Sequence, residues 1–245
     1  METFLVRVWL PDRPGALGAV ASRIGAVRGD VVGIDILERG AGRAIDELVV
    51  QLPDADLVSL LAAEISQVDG VDVEDVRAAP ARLYDPRLDA LETAALLVAA
   101  STHAELLSEL TASARRDFEA EWAAAIDLDD RVLLASEGAP PPPPWLAAFV
   151  AGSSSSAAVV AGECGPDDVA WTALSDANEA LVLGRRGRPF RARERRQLAA
   201  VARIADHRWI ELSASAVHRS PVAAPAAELG SAVAADRPSA CTRPA

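Results

Sequence analysis

Lysine is absent from all 245 residues, so every one of the 24 basic side chains is an arginine. That excludes a Schiff-base lysine and the phosphate-gripping lysine of a P-loop. Cysteine is almost missing as well. Cys164 and Cys241 lie far apart, which is no disulfide framework and fits a reducing compartment. Only three histidines occur, His103, His207 and His218, at none of the spacings that hold zinc. Aromatic residues are 4% of the chain, yet an apolar share of 51% still provides for a core. No long apolar run exists: Ala94 to Ala100 is far too short to span a bilayer. The opening METFLVRVWLPDRP has neither a basic n-region nor a small-residue cleavage site. The expectation is a cytoplasmic protein with no membrane partner. A net charge of −12 argues against a generic nucleic-acid binder, which needs a positive surface to release phosphate counterions.

What is present begins with PDRPGALGAV, residues 11 to 20. Thr3 to Leu10 before it is β-branched and aromatic and reads as a strand. After it, Leu17, Val20, Ala21, Ile24 and Val27 recur at helical spacing. Pro14 suits a first helical turn because it has a fixed φ and no N–H. Gly15 lets the backbone lie against something else. Asp12 is expected to accept hydrogen bonds from the free first-turn amides. The stretch is a strand-to-helix corner, the kind of place that binds a carboxylate, or else a tight turn with no ligand.

Further on, Val31 to Leu37 reads as a strand, RGAGR at 39–43 as a hairpin turn, and Ala44 to Leu52 as the returning strand. Asp54 can cap a helix with the stripe Leu57, Leu60, Leu61, Ile65 and Val68. Val71 to Val76 alternates as a last strand. The order β-α-β-β-α-β over residues 1–80 is the ferredoxin-like plan: two helices on one face of a four-stranded sheet, the other face left for a partner. With Asp12-Arg13-Pro14-Gly15, then Leu17, Val20 and Ile24, then Gly29-Asp30-Val31 entering the second strand, this segment resembles an ACT domain. The resemblance implies a regulatory module whose paired copies bind an amino acid at their interface. Carried over, the contacts are Asp12, Arg13, Pro14, Gly15, Ala16 and Leu17, together with Asp30, Val31 and Val32.

The stretch Ala78 to Leu91 carries two prolines, and residues 81–90 within it read as a semi-rigid linker. Residues 91–213 hold two helical stretches, a hairpin around Asp127 to Arg131, a five-proline loop at Pro140 to Pro144, a GSSSS break, strands at 169–174 and 180–183, and a closing helix from Arg193 to Leu212. The run EALVLGRRGRPFRARERRQLAAVARIADH (Glu179 to His207) resembles the end of a GAF domain: strand, basic glycine turn, Pro-Phe, closing helix. That implies a second α+β sensor domain with an antiparallel sheet and flanking helices. Residues 214–245 have little pattern and are expected to be a disordered tail.

No catalytic residue, metal ligand or cofactor site is assigned. Cys164 is a lone loop cysteine, and Ser153 to Ser156 lacks the G-x-S-x-G elbow. Asp127, Asp129 and Asp130 read as a solvated turn rather than a calcium loop. Glu119 and Glu121 would point one way on a strand, too little for acid–base chemistry. The basic stretch Arg185 to Arg196 is either a phosphate, RNA or acidic-partner site, or a charged turn on the solvent face of the last helix. The expectation is a non-catalytic regulator in which an amino acid or similar small molecule acts through an N-terminal homodimer. The alternatives are a ligand-free interaction protein or nucleotide binding through the arginines.

Overall fold

The computed structural model describes residues 1–79, 86–174 and 178–219. Expected linker residues 81–85 and tail residues 220–245, Cys241 among them, lie outside those described.

The N-terminal domain runs β1 (Glu2–Pro11), α1 (Ala16–Ala26), β2 (Asp30–Gly40), β3 (Arg43–Leu52), a 3₁₀ turn (Ala55–Leu57), α2 (Val58–Ile65) and β4 (Asp72–Ala78). The sheet order is β2-β3-β1-β4 and every pairing is antiparallel. This is the ferredoxin-like arrangement expected from the periodicity. Phe4, Val6, Val8 and Leu10 face the helices and pack with Val20, Ile24, Leu61 and Ile65. Leu5 and Arg7 point the other way and are equally buried. Burial on both faces explains why β1 reads as a near-continuous apolar run. Asp54 caps the 3₁₀ turn as expected, accepting from the Asp56 amide at 3.0 Å.

The second domain follows with α3 (Pro86–Ala99), α4 (His103–Asp117), β5 (Trp122–Asp127), β6 (Val132–Glu137), α5 (Pro143–Ser153), α6 (Ala157–Val160), β7 (Val169–Leu174), β8 (Glu179–Gly184) and α7 (Ala192–Arg219). Its antiparallel sheet is ordered β6-β5-β8-β7. α3, α4 and α7 cover one face through Leu97, Leu106, Leu110, Leu181 and Leu198. α5 covers the other through Leu146 and Val150 on Ala124, Ile126 and Val182. Trp122 lies flat over Gly184, where a Cβ would come within 2.1 Å of the indole, so only glycine fits there.

Several boundaries differ from expectation. The linker gives way to α3 at Pro86, and the five-proline loop ends at Pro143, where two prolines open α5, because a missing N–H is harmless in a first turn. α5 also absorbs the start of the GSSSS break. α7 continues to Arg219, past the expected tail boundary. Its start is held by Glu194, which reaches back to the Arg191 amide at 2.8 Å, the capping-box contact. Glu119 and Glu121 are not strand neighbours; Glu119 sits in the turn before β5 with φ of 47°.

Candidate functional site

The Pro-Gly corner is built by the end of β1. The Asp12 amide donates to the Gly42 carbonyl at 2.9 Å, and the Arg13 amide to the Pro11 carbonyl at 2.8 Å. Gly15 then adopts φ of 89° as the N-cap of α1. A Cβ there would meet no atom within 4 Å, so backbone conformation and not crowding calls for glycine. Asp12, Arg13, Pro14 and Gly15 are exposed, Ala16 is buried and Leu17 half-buried. Contrary to expectation, Asp12 does not act as the helix cap: the N-cap is Gly15, with no side chain to offer. The Ala16 amide donates to the Arg13 carbonyl at 3.3 Å, and no side chain caps the amides that follow it.

Asp30, Val31 and Val32 lie elsewhere. Asp30 pairs with Gln51, which pairs with Thr3, whereas the corner follows the Pro11–Arg43 pair. Strand rise puts these rows about 25 Å apart. One chain does not bring the two contact sets together.

Near the corner is a residue that sequence reasoning missed. Asp46 pairs with Val8 on β1 and Ile36 on β2, and so shares the face that carries α1. It is 3% exposed and its Oδ1 has no hydrogen-bond partner. Burial pushes its carboxyl up; Arg39 pulls it down and Asp12 adds to the rise. Beside it the edge strand exposes Ile34 (47%) and Ile36 (39%). The available signal was two consecutive acids, Asp46-Glu47, inside an otherwise apolar strand.

The opposite face of the same sheet is closed by the arginine stretch of the second domain. Arg7, only 1% exposed, donates from Nη2 to Glu47 Oε2 at 2.9 Å and from Nη1 to the Pro189 carbonyl at 3.1 Å. Arg77 makes two hydrogen bonds to Glu119, at 3.0 and 2.9 Å, and one to Glu47 at 3.1 Å. Arg188 bonds the same Glu119 at 2.9 Å. Arg191 pairs with Glu74 and lies over the Trp9 ring, 4.9 Å from its centroid. Arg193 reaches Asp35. Arg185 turns inward to Glu194 and the Phe118 carbonyl. The expected solvated turn is therefore corrected: Arg191 and Arg193 tie the second domain to the first, Arg185, Arg188 and Arg195 are bonded within the second domain, and Arg186, with its side chain 89% exposed, stays at the surface.

These contacts set the charge states. Burial alone would raise the Glu119 carboxyl, but Arg77 and then Arg188 hold it down at about 2. Glu47 is likewise held below its usual range by Arg7 and Arg77 against the effect of burial. Burial brings Arg185 down to about 10. The space enclosed among Arg7, Glu47, Arg77 and Arg185 is about 40 Å³, enough for water but not for an organic ligand.

Elsewhere, Asp127 Oδ1 accepts from the Asp129 and Asp130 amides at 2.8 Å, the expected solvated turn. Cys164 is exposed and unpaired. His103 packs on Trp209 and bonds Ser213. Glu179, 6% exposed, has an unpartnered Oε2; burial, then Asp127 and Asp206, push its carboxyl up to about 7. Two open grooves flank α5, one of about 440 Å³ beside Trp122 and Trp145 and one of about 400 Å³ beside Trp171. Among the described residues no group of three or more His, Cys, Asp or Glu is placed to hold a metal ion. Nor is any described helix long and apolar enough to cross a membrane.

No protein-family model and no curated protein matches this chain. Solved structures do. The ACT domain of a GTP pyrophosphokinase from Chlorobium tepidum is 17% identical, with a TM-score of 0.26, covering 32% of this chain and 97% of that one. A formyltetrahydrofolate deformylase from Pseudomonas putida KT2440 is 17% identical, with a TM-score of 0.28, covering 37% of this chain and 36% of that one. An uncharacterized Thermotoga maritima protein is 21% identical, with a TM-score of 0.25, covering 33% of this chain and 98% of that one.

Proposed function

We propose that this is a regulatory protein whose N-terminal domain works as an ACT module. It binds an amino acid or similar small molecule at the Pro-Gly corner. A GAF-like second domain reads the bound state. The observation that carries the proposal is the corner itself: exposed Asp12 to Gly15, Gly15 held at positive φ, and first-turn amides of α1 that no side chain caps. Such amides, at the positive end of a helix dipole, suit a carboxylate. The arginine interface supplies the coupling. A ligand that favours one arrangement of the N-terminal domain shifts the population that the second domain senses.

Because Asp30, Val31 and Val32 sit at the far end of the sheet, a site that uses both contact sets needs a second copy, and the working unit in this proposal is a homodimer. A thermal-shift screen of the full chain against the twenty amino acids tests the proposal, since a ligand of the folded state raises Tm. Absence of any shift would remove it. It would leave the second reading, a ligand-free interaction protein, which rests on Val32, Ile34 and Ile36 exposed along edge strand β2. Nucleotide binding through Arg185 to Arg196 loses its support, because Arg185, Arg188, Arg191 and Arg193 already have carboxylate partners.

A further inference from the structure

The groove of about 440 Å³ beside α5 is walled by Trp122, Trp145, Pro140 and Pro141. Trp145 stands in the first turn of α5, its ring stacked parallel on Phe149 with 5.5 Å between centroids, and is still 46% exposed. Among the described residues, the arginines that lie over aromatic rings use Trp9 and Phe190, so neither indole of the groove carries a cation. At the rim Glu121 pairs with Arg186, whereas Asp168 is exposed and makes no ion pair among the described residues. Aromatic and proline walls suit an extended proline-containing segment, whose rings lie on the indoles at little cost in chain entropy. An open carboxylate beside them suits an arginine in the same segment.

The sequence holds such a segment beyond Arg219: Arg237-Pro238 and Arg243-Pro244, on either side of Cys241. It is within reach. The groove adjoins the start of α7, because the Val169 carbonyl in its wall accepts from Arg195 at 3.0 Å. From Arg195 to the end of α7 at Arg219 is about 36 Å at the helical rise. Residues 220–236 can span about 50 Å in extended form, enough to return along the helix. We propose that this groove is a docking site for segment 237–244 of the same chain, with Asp168 taking an arginine and the two tryptophans the prolines. The inference stands on the second domain and is independent of the Pro-Gly corner.

Disulfide trapping in the full chain tests it. Cys164→Ala removes the exposed thiol and leaves Cys241, inside the segment, as the single cysteine. A second substitution adds a thiol either in the groove wall, Ala139→Cys, or on the exposed side of α1 in the N-terminal domain, Ser22→Cys. Under mild oxidation, an intramolecular disulfide is expected to form at position 139 about tenfold or more faster than at position 22, because docking raises the local concentration of the tail thiol. Adding Trp145→Ala or Asp168→Asn should bring the position-139 rate down toward that of position 22, with the fold intact by circular dichroism. Asp168→Asn, a change at an exposed side chain, serves as the test should Trp145→Ala disturb α5. Equal rates at the two positions overturn the inference, and so does a position-139 rate that Asp168→Asn leaves unchanged. A disulfide formed mainly between copies overturns the same-chain assignment.

Discussion

Asp46 and Glu47 are consecutive on β3 and face opposite sides of its sheet. Asp46 is on the face that carries the helices and has an unsatisfied oxygen, while Glu47 accepts from Arg7 at 2.9 Å in the seam with the second domain. A strand alternates its side chains, so a one-residue step carries the chain from the helix-covered face to the domain interface. β1 does the same over a few residues, from the corner at Pro11 and Asp12 back to Arg7. Any shift of β1 or β3 that accompanies ligand binding therefore reaches the buried ion pairs directly.

Breaking the seam at its centre should be expensive. Glu47→Gln leaves Arg7 buried without its closest carboxylate and takes one partner from Arg77. An uncompensated buried charge of this kind costs about 3 kcal/mol or more. Urea denaturation should show a midpoint lowered to match. A change within a few tenths of a kcal/mol would mean that Glu74 and Glu194, 3.9 and 3.8 Å from Arg7, take over the charge.

The arginine stretch separates into residues that matter for docking and one that does not. Arg191→Gln and Arg193→Gln each remove a part-buried carboxylate contact between the domains. Together they should destabilise the fold by about 2 kcal/mol or more and open β1 and β4 to hydrogen exchange on the face that meets the second domain. Arg186→Gln should leave both measurements at wild-type values, because its side chain is exposed and its pairing with Glu121 at 3.5 Å is of the weak surface kind. Equal effects from all three would undo the interface assignment. RNA binding to the full chain should stay undetectable at low salt, since Arg185, Arg188, Arg191 and Arg193 already have carboxylate partners.

Stability should pass through a maximum in mildly acidic solution. Glu47 and Glu119 are depressed in the folded chain, so their stabilisation is present above the unfolded carboxylate range and is lost as pH falls below it, for Glu119 toward about 2. Glu179 is raised to about 7, so it favours the fold at low pH, and that contribution is lost as pH rises through about 7. Glu179→Gln should accordingly gain up to about 3 kcal/mol over wild type at pH 8 and almost nothing at pH 4. A gain that does not depend on pH would put its cause in packing and not in charge.

The N-terminal domain was legible because its pattern switches cleanly between periods of 2 and 3.6, with Pro14, Gly15 and Asp54 marking the turns. The arginine seam was not, because its contacts are distant in sequence: Arg191 meets Glu74 across 117 residues and Arg193 meets Asp35 across 158. A local reading sees a run of charge and assigns it to solvent. Asp46 was hidden differently. Two consecutive acids in an apolar strand leave open which of them faces the core until the register shows Asp46 on the helix face and Glu47 on the other. The Pro140 to Pro144 run misled through composition, since proline excludes helix interiors but not helix starts.

The corner offers the last test, in which backbone and side-chain effects part. Gly15 has open space around its Cβ position but a φ of 89°, so Gly15→Ala strains the chain without a clash. The expected cost is about 1 kcal/mol in urea denaturation, the ordinary penalty for an L-residue at positive φ. If the corner amides hold a carboxylate, the ligand must lie against this backbone, and Gly15→Val should abolish amino-acid binding in calorimetry while the domain remains folded. A folded Gly15→Val chain with wild-type affinity would move the site away from α1, because a branched side chain at the N-cap stands where the ligand's carboxylate must enter.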